Sequence, residues 1–133
     1  MSTILMVEDH EPLAETLTCL LCKIGNMEVR AVARTGKEAL AWLRELSVDI
    51  VLVDVSLPVM SGIDLVAKLQ AEHPNLPCMM LSGHRKSTYV QRSLDAGARG
   101  YVTKDNALPI LEGVEAVLRG EIYLSSDVRE LQD

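Results

Sequence analysis

Short apolar runs alternate along the chain with longer segments in which apolar residues recur every three or four positions. The runs begin near residues 4, 29, 50, 78 and 99, and every gap between them has the helical pattern. Alternation of short strands with helices is typical of βαβ units and predicts a parallel sheet. We therefore expect an α/β domain in which strands and helices alternate.

Each predicted helix has one apolar face that would pack against the sheet. The positions that define these faces are Leu13, Leu17, Leu20, Leu21 and Ile24, then Ala39, Trp42, Leu43 and Leu46, then Leu65, Val66 and Leu69, then Val90 and Leu94, and finally Ile110, Leu111, Val114, Val117 and Leu118. The fourth helix, from about residue 87 to 96, has the thinnest apolar face. We expect it to be the most mobile helix.

The strands differ in how continuously apolar they are. Strands one, three and four are near-continuous apolar runs, which is typical of strands covered by helices on both faces. The second run, residues 27–33, includes the charged Glu28 and Arg30, and the fifth, residues 99–103, is short and includes Gly100. Both are therefore predicted to be edge strands. The order 2-1-3-4-5, taken over from known doubly wound sheets, fits this division.

Length and charge narrow the classes of function. At 133 residues the chain is expected to form about one domain with its own core. A net charge of −6 disfavours DNA binding by this chain alone, because such binding depends on neutralising phosphates with Lys and Arg. No stretch approaches a membrane span and no signal peptide is evident, so we expect a cytoplasmic protein without membrane contact.

The cysteines lie at positions 19, 22 and 78. An odd number without an export signal disfavours a disulfide framework, so reduced thiols are expected. The spacing of Cys19 and Cys22 also occurs in redox and zinc sites, but both lie in an amphipathic helix and no second pair of ligands exists. We interpret both as core residues.

Acidic and polar side chains follow four of the apolar runs. Glu8 and Asp9 follow the first run, Asp54 the third, Ser82 the fourth and Lys104 the fifth. The carboxyl ends of parallel strands open onto one edge of the sheet, where open α/β sheets bind their ligands. Carboxylates so close together repel each other unless a hard cation such as Mg²⁺ neutralises them. The pattern predicts magnesium-dependent phosphoryl chemistry.

These residues, in this order, resemble the receiver domain of bacterial two-component response regulators. The resemblance rests on Glu8-Asp9, on Asp54 in Val-Asp-Val-Ser-Leu-Pro with Gly62 after it, on Ser82-Gly83, and on Lys104 after Gly-Tyr-Val-Thr, and it covers residues 3 to about 120. It implies a flavodoxin-like (βα)5 three-layer sandwich. The expected function is a phosphoacceptor signalling switch and not an enzyme in the usual sense.

The resemblance also implies the metal and the phosphoacceptor. Asp54 would be the nucleophile that takes a phosphoryl group from a sensor histidine kinase, and Asp9, Asp54 and the main-chain carbonyl of Ser56 would hold Mg²⁺. Glu8 would act mostly through a metal-bound water. The family more often has Asp where this chain has Glu8.

Three further residues would respond to the phosphoryl group. Lys104 would pair with its oxygens and Ser82 would donate its hydroxyl, while Tyr101 would swing inward in the manner of the family's switch aromatic. Many receivers have proline after the lysine, whereas this chain has Asp105, so we expect an all-trans loop in which Asp105 or Asn106 caps the fifth helix. His84 is expected to shade the phosphoryl group from water.

The tail that begins Gly-Glu-Ile-Tyr-Leu-Ser at Gly120 resembles the subfamily whose receivers precede a helix-turn-helix DNA-binding domain. We expect a receiver over residues 1–120 and, over residues 121–133, a tail or the start of a linker to an output domain that this chain lacks. DNA would be bound only through that output domain. Phosphorylation would change the surface of helix four, strand five and helix five and favour a homodimer.

Two other classes of function remain open from the sequence. A small flavodoxin-like enzyme or flavin carrier could use the same architecture, although no loop rich in Ser, Thr and Gly follows strand one to hold a flavin phosphate. Absorbance of the purified protein would decide. A receiver-like adaptor that works without phosphorylation is the other alternative, and the intact set of Asp9, Asp54, Ser82 and Lys104 disfavours it.

Overall fold

A computed structural model describes residues 1–83 and 86–129 of the chain. Its centre is one parallel sheet with the order β2-β1-β3-β4-β5-β6. The strands are β1 (Thr3–Val7), β2 (Glu28–Ala33), β3 (Ile50–Asp54), β4 (Cys78–Ser82), β5 (Gly100–Thr103) and β6 (Tyr123–Leu124). The predicted order of the first five strands is confirmed, and a sixth strand extends the sheet.

The helices cover both faces of the sheet. They are α1 (Glu11–Lys23), α2 (Gly36–Glu45), α3 (Gly62–Glu72), α4 (Ser87–Ala96), α5 (Ala107–Leu118) and the short α6 (Ser126–Arg129). Apolar residues of α1 and α5 share one buried cluster, and those of α2, α3 and α4 share the other. The result is an α/β domain with a parallel sheet, as the alternation predicts, and it has the three layers that the resemblance implies.

The central strand β3 is apolar without interruption because helices cover both of its faces. Val51 and Val53 belong to the cluster beneath α2, α3 and α4, whereas Ile50 and Leu52 belong to the cluster beneath α1 and α5. Successive side chains of a strand point to opposite faces, so a strand covered on both faces must be apolar at every position. This double burial fixes the register that carries Asp54 to the end of the strand.

Some predicted burial is wrong. Ile24 is 71% exposed because it follows the last turn of α1, and Trp42 is 40% exposed because α2 buries fully only Gly36 and Ala39. Hydrophobic spacing alone placed both side chains in the core.

The interpretation of Cys19 and Cys22 as core residues is also wrong, because both are exposed. The buried side of α1 carries Ala14, Leu17 and Leu21, and helical geometry turns positions 19 and 22 away from that side. Cys78 is buried, and all three thiols are free.

The fifth strand was predicted to be an edge, and this prediction is wrong. β5 lies between β4 and β6, with Gly100 opposite Tyr123 and Tyr101 opposite Leu124. The thin inner face of α4 is present, since Val90 and Ser93 are its buried residues. The greater mobility of α4 stays a prediction.

Within the described ranges, no helix combines the length and apolarity required to cross a lipid bilayer.

Candidate functional site

The register of the sheet brings the strand ends together. Val7 lies opposite Val53, Asp54 opposite Leu81, and Ser82 opposite Thr103. The residues at or just after these ends, Glu8, Asp9, Asp54, Ser82 and Lys104, therefore share one edge of the sheet. This is the edge at which doubly wound sheets place their ligand sites.

Three carboxylates form a compact cluster at this edge. One carboxylate oxygen from each of Glu8, Asp9 and Asp54 lies within 4.8 Å of the other two. Glu8 is 1% exposed and Asp54 is 3% exposed, whereas Asp9 faces solvent. A hard cation with carboxylate ligands on one side and water or phosphate oxygens on the other fits this arrangement. The cluster can hold a divalent cation such as Mg²⁺.

The ammonium of Lys104 lies between two of these carboxylates. Its Nζ is 2.9 Å from Glu8 Oε1 and 3.0 Å from Asp54 Oδ2. Burial lowers the pKa of Lys104, but the bonds to Glu8 and Asp54 outweigh it, so this pKa lies above its usual value. The lysine is therefore the charged counterion of the cluster at neutral pH.

The negative charge of Glu8 is opposed by burial of its carboxyl. Burial raises the pKa of its carboxyl above the usual value, although Lys104 and a backbone hydrogen bond from His10 lower it in part. The His10 N–H donates to Oε2 at 3.1 Å. The sequence predicted a water-mediated metal role for Glu8 and missed its ion pair with Lys104.

Two backbone hydrogen bonds fix the Asp54 carboxylate and the turn that follows it. The N–H of Ser56 donates to Asp54 Oδ1 at 3.1 Å, and the N–H of Gly62 donates to the Val55 carbonyl at 2.9 Å. A Cβ at position 62 would lie 2.0 Å from the Asp54 carbonyl oxygen, so only glycine allows α3 to begin this close to the strand end. The role of the Ser56 carbonyl as a metal ligand stays a prediction.

Ser82 and Tyr101 contact each other inside the sheet. Both are fully buried, and their hydroxyl groups share a hydrogen bond. Burial raises the pKa of the Tyr101 hydroxyl above its usual value. The Lys104 N–H donates to the Ser82 carbonyl at 2.9 Å, which joins the ends of β4 and β5. Tyr101 is therefore buried in the unphosphorylated domain, and its movement on phosphorylation stays a prediction.

The loop after Lys104 has the predicted cap. The Leu108 N–H donates to Asn106 Oδ1 at 3.3 Å, so Asn106 rather than Asp105 is the N-cap of α5. The described peptide bonds are all trans. Beside Ser82, a Cβ at Gly83 would meet no described atom within 4 Å. The predicted influence of His84 falls on a residue outside the described ranges.

Asp127 contacts the site's last strand and was missed. Its carboxylate accepts a hydrogen bond from the Thr103 hydroxyl at 2.6 Å, one residue before Lys104. In the sequence, Asp127 stands in a short polar stretch with no periodicity, which gives no sign of a contact with β5.

Comparisons with known proteins agree with this geometry. The chain matches the response regulator receiver domain family over residues 4–114. It is 31% identical over 131 residues to the response regulator GacA of Pseudomonas viridiflava, covering 98% of this chain and 61% of the relative. The chain therefore spans about three fifths of the length of the curated relatives that it matches.

Solved structures give the same result. A two-component response regulator of the LuxR family from Aurantimonas sp. SI85-9A1 superposes with a TM-score of 0.95 at 28% identity, covering 99% of this chain and 95% of that one. The isolated receiver domain of RcsB from Salmonella enterica serovar Typhimurium, in the presence of the phosphomimetic BeF3-, has a TM-score of 0.90 at 20% identity and covers 99% of both chains, which shows the shared fold. The chain belongs to the response regulator receiver domain family.

Proposed function

We propose that this receiver domain accepts a phosphoryl group on Asp54 from a phosphohistidine of a sensor histidine kinase, with Mg²⁺ held by Glu8, Asp9 and Asp54. The observation that carries the proposal is a buried aspartate at a strand end with an ammonium 3.0 Å from one oxygen and two more carboxylates beside it. An aspartate with a purely structural role would need only the Lys104 ammonium to balance its charge, without two further carboxylates nearby. The excess of negative charge supports a site that takes a cation and a phosphoryl group.

The transfer requires little acid-base chemistry from the protein. An oxygen of Asp54 would attack the phosphorus, the P–N bond to the kinase histidine would break, and its electron pair would stay on the imidazole nitrogen, which is left as neutral histidine after proton uptake. The products are an acyl phosphate and histidine. Mg²⁺, when bound, would neutralise charge on the phosphoryl oxygens.

Lys104 would change partners during this step. An ammonium has three donors, and in the unphosphorylated protein two of them reach Glu8 and Asp54. A phosphoryl group on Asp54 would offer oxygens to the same ammonium, and Glu8 would then depend on the bound cation for its counter-charge. Ser82 would turn its hydroxyl from Tyr101 to another phosphoryl oxygen. These moves would change the packing of the α4, β5 and α5 surface.

The response to phosphorylation would be carried by a further domain. We propose that the domain serves a transcriptional regulator whose DNA-binding domain lies outside residues 1–133, because the matched GacA proteins are longer regulators of which this chain covers 61%. Formation of a homodimer on phosphorylation, a signalling rather than an enzymatic role and a cytoplasmic location belong to the same proposal. In the same proposal, the receiver extends to about residue 120, and residues 121–129 form a tail that leads to the output domain and packs on the receiver.

Acetyl phosphate with Mg²⁺ tests the phosphoacceptor. Intact mass measured under mild conditions should show one added phosphoryl group on the native protein and none on Asp54→Asn, since an amide is a poor nucleophile and a poor metal ligand. Asp64→Asn, an exposed position in the first turn of α3, is the matched control and should be labelled normally. A chelator should abolish labelling. Equal labelling of Asp54→Asn would refute the assignment, and no labelling of a folded, Mg²⁺-binding protein would favour the phosphorylation-independent adaptor.

A further inference from the structure

The residues after α5 fold back onto the domain. Residues 121–129, called the strap here, comprise β6 and α6. The Tyr123 N–H donates to the Arg99 carbonyl at 3.0 Å, and the Ser125 N–H donates to the Tyr101 carbonyl at 3.1 Å. The strap therefore pairs with the strand that carries the switch tyrosine.

An apolar anchor holds the end of the strap. Val128 is fully buried and belongs to the same core cluster as Val90 of α4 and Tyr101 of β5. Leu124 packs against this cluster and lines a cavity of about 470 Å³ along α4, together with Val90 and Leu94. The strap thus covers the groove between α4 and β5.

A polar clasp joins the strap to the reactive edge. Asp127 accepts hydrogen bonds from the Thr103 hydroxyl at 2.6 Å, from the Ser125 hydroxyl at 2.7 Å and from the Val128 N–H at 3.0 Å. Hydrogen bonds to a carboxylate are stronger than neutral ones. Thr103 is 2% exposed and immediately precedes Lys104 in the chain. A displacement of the Lys104 backbone would therefore move Thr103 and disturb its hydrogen bond to Asp127.

We propose that the strap is an autoinhibitory segment, docked on the α4–β5 groove while Asp54 is free and released when Asp54 is phosphorylated. The proposal rests on the proposed function. Lys104 and Ser82 would move toward the phosphoryl group, and each is tied to a strap contact, Lys104 through Thr103 and Ser82 through Tyr101. Release uncovers the groove for a second copy of the chain and frees the segment that leads toward an output domain.

Amide exchange of the strap tests the release. With beryllofluoride and Mg²⁺ bound, the amides of Tyr123 and Ser125 should exchange at least about tenfold faster. Loss of the hydrogen bond between Thr103 and Asp127 alone favours opening of the strap by about this factor. The amide of Leu52 in the central strand should be unaffected. Bound beryllofluoride gives its own fluorine NMR signal, which must be absent from Asp54→Asn.

Variants of the strap test the coupling in the reverse direction. Asp127→Ala removes the clasp and Val128→Ala weakens the anchor, so each should speed exchange at Tyr123 without the phosphomimetic. Because coupling between two sites is reciprocal, each should also bind beryllofluoride more tightly by a similar factor of about ten. Glu121→Gln removes a charge from an exposed strap residue outside the clasp and should change neither property.

The outcomes separate the two proposals. Beryllofluoride that binds while exchange at Tyr123 and Ser125 stays unchanged or slows overturns the strap proposal and leaves the proposed function intact. Faster exchange in Asp127→Ala and Val128→Ala without tighter beryllofluoride binding also overturns it. A protein that gives no bound fluorine signal fails the proposed function, and the strap proposal fails with it.

Discussion

Replacement of Lys104 by methionine would remove the counterion of the buried acidic cluster while keeping a similar side-chain volume. Two carboxylates that are 1% and 3% exposed would then lose an ammonium at 2.9 and 3.0 Å. Removing one partner of a buried ion pair costs about 3 to 5 kcal/mol. Because the lysine side chain is 22% exposed and Asp9 opens to water, we expect a value near the lower end, about 3 kcal/mol.

Protonation of Glu8 limits this cost. In the variant, the pKa of the Glu8 carboxyl would rise further above the ordinary value of about 4.3, so the folded state would bind a proton that the unfolded state does not. Forcing an ordinary carboxyl to take a proton costs about 4 kcal/mol at about pH 7.5 and about 2 kcal/mol at about pH 6. A raised carboxyl pKa gives stability that is lost as pH rises through it, so the variant should regain stability on acidification.

Urea unfolding in the presence of a chelator, followed by circular dichroism, measures this cost. The matched control is Lys68→Met, because Lys68 and Glu72 form an exposed helical pair at 3.9 Å with both side chains half exposed. The control should lose no more than about 0.5 kcal/mol. If Lys104→Met costs no more than Lys68→Met, or if its cost does not shrink between about pH 7.5 and about pH 6, the cluster is not a buried set of charges that depends on the lysine.

Three further outcomes follow from single positions. Gly62→Ala should lower the free energy of unfolding, measured with urea, by about 3 kcal/mol, because its Cβ would meet the Asp54 carbonyl oxygen at 2.0 Å. The control Gly83→Ala should change this free energy by no more than about 0.5 kcal/mol. Similar losses in the two variants would contradict the packing argument. Val59→Gly should raise stability by about 1 kcal/mol, since this valine has a φ of 68° and is fully exposed, and a loss of stability would be the contrary result. Asp9→Asn should weaken Mg²⁺ binding, measured by calorimetric titration, about tenfold without loss of folding, and unchanged affinity would place the cation elsewhere.

The sequence predicts the central sheet well because burial on both faces leaves a strong chemical signature. β3 must be apolar at each position from Ile50 to Val53, and this makes the acid that follows stand out. The convergence of Glu8, Asp54 and Lys104 follows from parallel topology alone. The ion pairs among these residues do not follow from topology. Whether Lys104 contacts solvent or Glu8 depends on its side-chain conformation, which no sequence spacing encodes.

The sixth strand escapes prediction for a different reason. β6 has only the two residues Tyr123 and Leu124, too few for any periodicity, and it exists because β5 offers hydrogen-bonding groups beside it. Cys19 and Trp42 show the opposite error, since a hydrophobic residue in a helix is buried only if its angular position faces the sheet. Contacts that depend on the whole fold are the ones that sequence patterns miss.

The position of β6 has a practical consequence for any shortened version of this protein. A chain cut after Gly120 would keep every predicted site residue but would leave the carbonyls of Arg99 and Tyr101 without their strand partners. It would also uncover the hydrophobic surface under Val128. An open parallel edge beside exposed apolar surface is a template for pairing with other chains. Such a fragment would self-associate through this edge, and its aggregates would imitate a phosphorylation-dependent dimer in any assay of mass alone.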